Sequence, residues 1–265
     1  MIIFYIGVDK CGSTAIYNIL RKQNWISDLG GKDTNLLIDN KNIHSNITKL
    51  KNCGNNSIFI EYSHDYWLSS RVAKIIKDEF KEAFVICSVR DPILRSISAL
   101  KHYKKIGTKG SDHEIIKNFP DIISNSYYKK LKDFLIKSGK FDDKNFFIVN
   151  IDSQISLIKQ LNLCMSKFGV AQEINNVSYK TFSAKNSRFP ILTNLLRSIS
   201  KYVRYIFPTK IYQSLKNKFY AQEFLFKDFD NSFDSYWKEY FSNLYGLEML
   251  SEYNSILEIK DTSND

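Results

Sequence analysis

A three-layer α/β sandwich with a mainly parallel central sheet is the fold this sequence predicts. Two observations carry the prediction. Short apolar runs without polar alternation recur through the first 150 residues, the mark of strands buried on both faces. Between them lie segments whose apolar residues repeat at helical spacing, so strands and helices alternate. A chain of 265 residues can bury a substantial single core. Its 43% hydrophobic and 25% charged residues exclude wholesale disorder, and 10 Gly with 4 Pro exclude a linker-dominated chain.

The elements follow in order. Ile2 to Ile6 is a buried strand that runs through Gly7-Val8-Asp9-Lys10-Cys11-Gly12-Ser13-Thr14 into a helix carrying Ile16, Ile19 and Leu20 on one face. Ser57 to Tyr62 is a second strand. Val72, Ile75, Ile76 and Phe80 give the next helix its core face. Ala83 to Val89 is the cleanest buried strand, with Cys87 expected as a buried thiol. It ends in Arg90-Asp91-Pro92, where proline suits the first turn of a helix to about Lys105. A helix over 127–137 and a strand over Phe146 to Val149 complete the alternation. No strand is expected after Ile174. Phe189 to Phe219 is apolar, basic and aromatic, broken by Pro208, and the tail from Phe229 to Leu257 is helical.

Charge is distributed unevenly. The formal charge is +10, yet the stretch from Ile174 to Gln222 holds nine Lys and Arg and no Asp or Glu, which leaves the rest of the chain close to neutral. A local basic segment implies an anionic partner. Within it Ile191, Leu195, Leu196, Ile199, Val203 and Ile206 keep helical spacing, with Arg197, Lys201 and Arg204 between them. That pattern fits a core-packing helix with a solvated basic face, a surface for an anionic acceptor, or peripheral contact with anionic lipid through 189–219. Nucleic acid is not the expected partner, because no recognised nucleic-acid module accompanies the aromatics.

The four cysteines, Cys11, Cys53, Cys87 and Cys164, form no C-x-x-C pair and have no companion His spacing, so no metal site is expected. The opening Met1-Ile2-Ile3-Phe4 has no basic n-region, and no run of eighteen apolar residues occurs. A cytoplasmic location is expected, with membrane contact at most peripheral.

The glycine-bounded loop has the outline of a Walker A motif, in which small residues let backbone N–H groups wrap phosphate oxygens at a helix N-terminus. Its lysine position, however, holds Ser13, and the lysine stands three residues earlier as Lys10. A kinase needs that lysine after the second glycine, so ordinary ATP chemistry is disfavoured. The loop resembles the phosphosulfate-binding loop of the sulfotransferase family. The R-D-P-x-x-R-x-x-S signature of that family stands as Arg90-Asp91-Pro92-Ile93-Leu94-Arg95-Ser96-Ile97-Ser98. Gly31-Lys32-Asp33-Thr34-Asn35-Leu36-Leu37 resembles the K-E-x-H-F-F segment of its carbohydrate-type, heparan sulfotransferase-like branch. Glu61-Tyr62-Ser63-His64-Asp65-Tyr66 stands where that branch shows E-K-[ST]-P-x-Y. Asp33 in place of Glu and Tyr62 in place of Lys are departures. Asn176-Val177-Ser178 is similar to a loop that caps the nucleotide in bacterial members.

The resemblance implies a single sulfotransferase-like domain over 1–265, with a nucleotide-binding core over 1–173 and a helical basic part over 174–265. It implies transfer of a sulfuryl group from 3′-phosphoadenosine 5′-phosphosulfate, without a metal, to a hydroxyl or amine of an acceptor, in that branch a carbohydrate, while the basic segment points to an anionic one. Lys10, Cys11, Gly12, Ser13 and Thr14 would bind the donor's 5′ end, and Arg90 and Ser98 its 3′-phosphate. Lys10 would also neutralise the leaving group. Asp33 is the first candidate for general base and His64 the second. Lys32, Glu61 and Asp65 would meet the acceptor. Arg95 is expected in solvent, and His44, His102 and His113 have no assigned role. Two alternatives stand beside this reading: a nucleotide kinase on the same sheet, and a non-catalytic module that binds nucleotide or polyanion through Arg90 and the basic segment.

Overall fold

Burial on both faces makes the central sheet parallel and its strands apolar. The computed structural model describes residues 1–28, 31–53, 57–139, 144–175 and 226–261, with positions 186–187, 189 and 195. The chain divides into two compact units. One comprises Met1–Pro92, Tyr127–Thr181 and Leu247–Asp265, the other Ile93–Ser126 and Phe182–Gly246.

The first unit holds a five-stranded sheet of β1 (Ile2–Tyr5), β2 (Ile26–Asp28), β3 (Ile58–Tyr62), β4 (Phe84–Val89) and β5 (Phe146–Asn150). Its order is β2-β3-β1-β4-β5, and every pairing is parallel. Successive side chains of a strand point to opposite faces. Ile3, Tyr5, Ile60, Tyr62, Ile86, Phe147 and Val149 accordingly pack on one side against α1 (Ser13–Leu20) and α8 (Leu157–Lys167). Phe4, Phe59, Val85, Cys87 and Ile148 pack on the other. There they meet α2 (Ile43–Asn52), α3 (Ser70–Glu79), α7 (Lys129–Lys137) and, through Tyr253 and Ile256, the C-terminal half of α9 (Asn231–Asp261). The three expected layers are present.

The chain leaves β1 for the edge strand β2, comes back through β3 beside β1 and crosses to β4 on the other side of β1, so the strand order reverses there. In open parallel sheets a ligand crevice lies beyond the carboxyl ends of the strands at such a point. The loops after β1 and β4 flank it.

The second unit contains α4 (Pro92–Lys105) from Ile93 onward, α5 (Asp112–Asn118), α6 (Asp121–Ser124) and the N-terminal half of α9. Ser111 and Glu114 close α5 with a reciprocal capping box. Trp237 is buried among Phe233, Tyr240 and Phe241, and its Nε1 donates to Asp112 at 3.3 Å. His113 stands edge-on to Tyr236 and Tyr240 in the same cluster. Lys101 and Lys104 lie over the Phe233 ring, at 5.6 and 5.7 Å.

Two expectations are corrected here. Strands do follow Ile174: β6 (Asn186–Ser187) pairs antiparallel with β7 (Phe226–Lys227). Two residues carry no hydrophobic period for sequence reading to find. Arg95 is not solvated but fully buried, its Nη1 donating to the carbonyls of Asp121 at 2.8 Å and Ile122 at 2.9 Å. It thereby adds a donor to two carbonyls of the four-residue α6 helix, where Asp121 also accepts from Asn125 N–H at 3.2 Å and Ile122 from Ser96 Oγ at 2.9 Å. The Asn176-Val177-Ser178 loop and the body of the basic segment lie outside the described residues. No helix among those described is long and apolar enough to cross a membrane.

Candidate active site

The loop after β1 is shaped by two glycines and a lysine. Gly7 has φ 131°, and a Cβ there would stand 2.4 Å from the carbonyl oxygen of His64 and 2.5 Å from Trp67 Cδ1. Only a residue without a side chain lets these backbones approach so closely. Gly12, with φ 74°, is the N-cap of α1 and contributes no side-chain cap. Lys10 adopts φ 62°, a left-handed conformation that costs a non-glycine residue about 1–2 kcal/mol and is characteristic of functional loops. The first-turn N–H groups at Ser13 and Thr14 have no intrahelical acceptors, and with the helix dipole they form an anion cradle. The Ser13 carbonyl accepts from the Tyr62 hydroxyl, which fixes the cradle to β3.

Arg90 follows β4, the strand next to β1. Backbone bonds continue the pairing into the loop, from Ser88 N–H to the Gly7 carbonyl at 2.6 Å and from Val8 N–H to the Ser88 carbonyl at 2.9 Å. The Tyr128 hydroxyl holds Arg90 by its own N–H and carbonyl. Asp152 holds the same turn, accepting from Asp91 N–H at 2.7 Å and lying 3.4 Å from Arg90 Nε. Tyr128 and Asp152 went unrecognised in the sequence, since neither lies in a motif. Ser98 is half-buried on α4, in the second unit.

A second cluster gathers around the loop of residues 31–37. His64 Nδ1 shares a hydrogen bond with Asp33 Oδ1, and Lys32 Nζ lies 3.3 Å from Asp33 Oδ2. His64 Nε2 lies 3.4 Å from Asp65 Oδ1. Lys32, Asp33, His64 and Asp65, scattered over two segments, are thus brought together, and the His64 backbone abuts Gly7 of the phosphate loop. Burial pushes the Asp33 carboxyl up, but the His64 hydrogen bond and the Lys32 ammonium outweigh it and hold the group below its ordinary range. Asp33 is therefore an anion at neutral pH and a weak proton acceptor. An anion on Nδ1 orients the imidazole and favours the tautomer with Nε2 as the basic nitrogen.

Two predicted ligand contacts are placed elsewhere. The Cys11 side chain is fully buried, with Sγ 3.7 Å from the Tyr128 hydroxyl, which leaves only its backbone to the loop. Glu61 is 1% exposed beneath the 31–37 loop and does not face an acceptor. Tyr62, the departure from the family's lysine, is buried and stacked on Tyr5 at 4.0 Å, a packing role that an ammonium could not fill. An open cavity of about 140 Å³ is lined in part by Tyr17, Arg21, Asp28 and Tyr62, and by none of Lys32, Asp33, His64 or Asp65. Tyr62 is the residue of its lining that meets the cluster, its carbonyl accepting from Asp33 N–H at 2.7 Å. No group of three or more metal-ligating side chains occurs among the described residues.

A five-stranded parallel sheet with helices on both faces, its order reversing at the central strand, defines the doubly wound class of α/β fold. Among solved structures the chain is similar to a sulfotransferase from Alicyclobacillus acidocaldarius. The TM-score is 0.55 with 15% identity, over 68% of this chain and 85% of that one. The chain therefore has a sulfotransferase-like fold. No protein-family profile matches the sequence, and no curated protein matches it.

Proposed function

We propose that the protein transfers a sulfuryl group from 3′-phosphoadenosine 5′-phosphosulfate to a hydroxyl or amine of an acceptor, a carbohydrate or another anionic molecule. The observation that carries this reading is that two turns whose sequences resemble phosphate-binding motifs close adjacent strands. The Gly7–Thr14 loop closes β1 and the Arg90 turn closes β4, at the point where the strand order reverses.

Sulfuryl transfer is an in-line displacement whose leaving group gains negative charge, so catalysis rests on positioning and charge neutralisation. In this reading the Ser13 and Thr14 amides hold the 5′-phosphate, and Lys10 meets the charge growing on the bridging oxygen. Arg90, planar and bidentate, recognises the 3′-phosphate. His64 takes the acceptor's proton at Nε2 while Asp33 orients it, which favours the histidine over the carboxylate as base. Lys32 and Asp65 border the acceptor, and the cavity beside Tyr17 and Tyr62 gives it room.

Calorimetry with 3′-phosphoadenosine 5′-phosphate, ATP and AMP tests the reading. Strong preference for the 3′-phosphorylated nucleotide is expected, and its loss in Arg90→Ala. Equal binding of ATP overturns the proposal. Lys10→Ala is expected to retain nucleotide binding and lose transfer.

A further inference from the structure

Beneath the Asp33–His64 pair lies a polar network that the chemistry above does not use. Glu61 projects from β3 on the face it shares with Phe59, and it is 1% exposed. Its Oε1 accepts from Thr34 Oγ1 at 2.5 Å and from Ser63 Oγ at 2.7 Å. Ser63 Oγ in turn accepts from Asn35 N–H at 2.9 Å. Three consecutive loop residues are thus tied to β3, because Asp33 N–H also donates to the Tyr62 carbonyl. Asp33 and Asn35 have φ of 62° and 53°, left-handed conformations that Asp and Asn tolerate better than other side chains, and the hydrogen bonds to 61–63 hold the loop in that shape.

We propose that Glu61 is the positioning residue of the Asp33–His64 pair, its buried carboxyl holding the 31–37 loop in the shape that presents Asp33 to the imidazole. The inference rests on the assignment of that pair to proton transfer.

The state of the carboxyl follows from its surroundings. Burial pushes Glu61 up to about 7, against the hydrogen bonds from Thr34 and Ser63, and the Asp33 charge adds to the rise. The titratable groups facing it are Asp33 from the loop and Tyr66 from the 3₁₀ turn Tyr66–Leu68, with His64 and Lys32 behind Asp33. Its Oε2 is buried without a hydrogen-bond partner, as is Asn35 Oδ1. A proton on Oε2 turns an orphaned acceptor into a donor. Losing it leaves a buried charge against Asp33. The neutral acid is therefore the form that suits the loop, and a glutamine can imitate it.

Carbon-13 NMR of glutamate-labelled protein, with Glu61→Gln to assign the signal, tests this without any acceptor. The Glu61 carboxyl is expected to titrate near neutral pH, and the Asp33–Asn35 amide signals to move with the same midpoint. In Glu61→Gln those amides hold their low-pH positions throughout. In His64→Gln the step persists, which separates it from the imidazole. A carboxyl titrating in the ordinary range, or Glu61→Gln amides that still move as in the wild type, overturns the proposal. In a transfer assay Glu61→Gln keeps turnover below pH 7 and loses the decline above it, while Ser63→Ala lowers turnover by roughly 10²-fold with donor affinity unchanged. Absence of transfer with every acceptor defeats the sulfotransferase reading, and the NMR outcome still decides the hold of Glu61 on the loop.

Discussion

The hydroxyl of Tyr128 accepts from the N–H of Arg90 at 3.1 Å and donates to the carbonyl of the same residue at 2.5 Å. One phenol thereby fixes the turn that carries the candidate 3′-phosphate ligand, and it is fully buried. Removing it leaves a donor and an acceptor unpaired away from water. Tyr128→Phe is expected to cost about 2 kcal/mol in chemical denaturation and to weaken binding of 3′-phosphoadenosine 5′-phosphate. Unchanged stability contradicts this account of the turn.

The two loop glycines should respond differently to a second mutation. Alanine at Gly12 meets Ile151 Cδ1 at 2.5 Å, the mobile end of a side chain, whereas alanine at Gly7 meets the His64 carbonyl at 2.4 Å. Ile151→Ala is expected to recover part of the stability lost in Gly12→Ala and none of that lost in Gly7→Ala. A double-mutant cycle measures both couplings, and equal rescue of the two rejects the steric argument.

Arg95 tests whether the R-D-P-x-x-R arginine is architectural. Its guanidinium spans two carbonyls, at 2.8 and 2.9 Å, without exposure to solvent. Both bonds come from Nη1, and a lysine ammonium, more strongly hydrated and on a more flexible stem, is costlier to bury there. Arg95→Lys is expected to destabilise the protein by roughly 2 kcal/mol, read from the urea midpoint. A change below about 0.5 kcal/mol, as for a surface site, shows the arginine to be dispensable.

Stability should carry opposing pH signatures from Glu61 and Asp33. Glu61 is raised from its ordinary value near 4.5 to about 7, so the folded state binds the proton more tightly. Its contribution is full at acid pH and lost as pH rises through that window, on the order of 3 kcal/mol. Asp33 is held low, so its contribution is present above its unfolded value and lost as pH falls through the folded one. Glu61→Gln is therefore expected to flatten the decline between pH 5 and 7, and Asp33→Asn to flatten the acid limb. Denaturation across pH distinguishes them, and a wild-type curve level from pH 5 to 7 contradicts the Glu61 assignment.

Much of the fold is legible in the sequence because each central strand is apolar on both faces. Ile2–Tyr5, Ile58–Tyr62, Phe84–Val89 and Phe146–Asn150 fall where the apolar runs lie. The edge strand Ile26–Asp28 is three residues with an exposed end, too short to show a period. The helix Ile43–Asn52 buries only Leu50, so its amphipathic signal is faint. Short helices such as Asp121–Ser124 depend on partners like Arg95 that come from elsewhere in the chain.

The sequence by itself determined the alternating α/β order, the loop with Lys10 and Gly12, and the arginine turn after β4, because these are local patterns of burial and spacing. Only the tertiary structure decided which polar residues meet. Asp33 and His64 are 31 residues apart along the chain and join because β3 and the loop before it are tied at Glu61 and Ser63. It also set the fate of individual groups. Glu61 and Cys11 sit in motifs that face a ligand by resemblance, yet both side chains are buried. Burial and hydrogen-bond satisfaction are sums over residues distant in sequence, and no local pattern contains them.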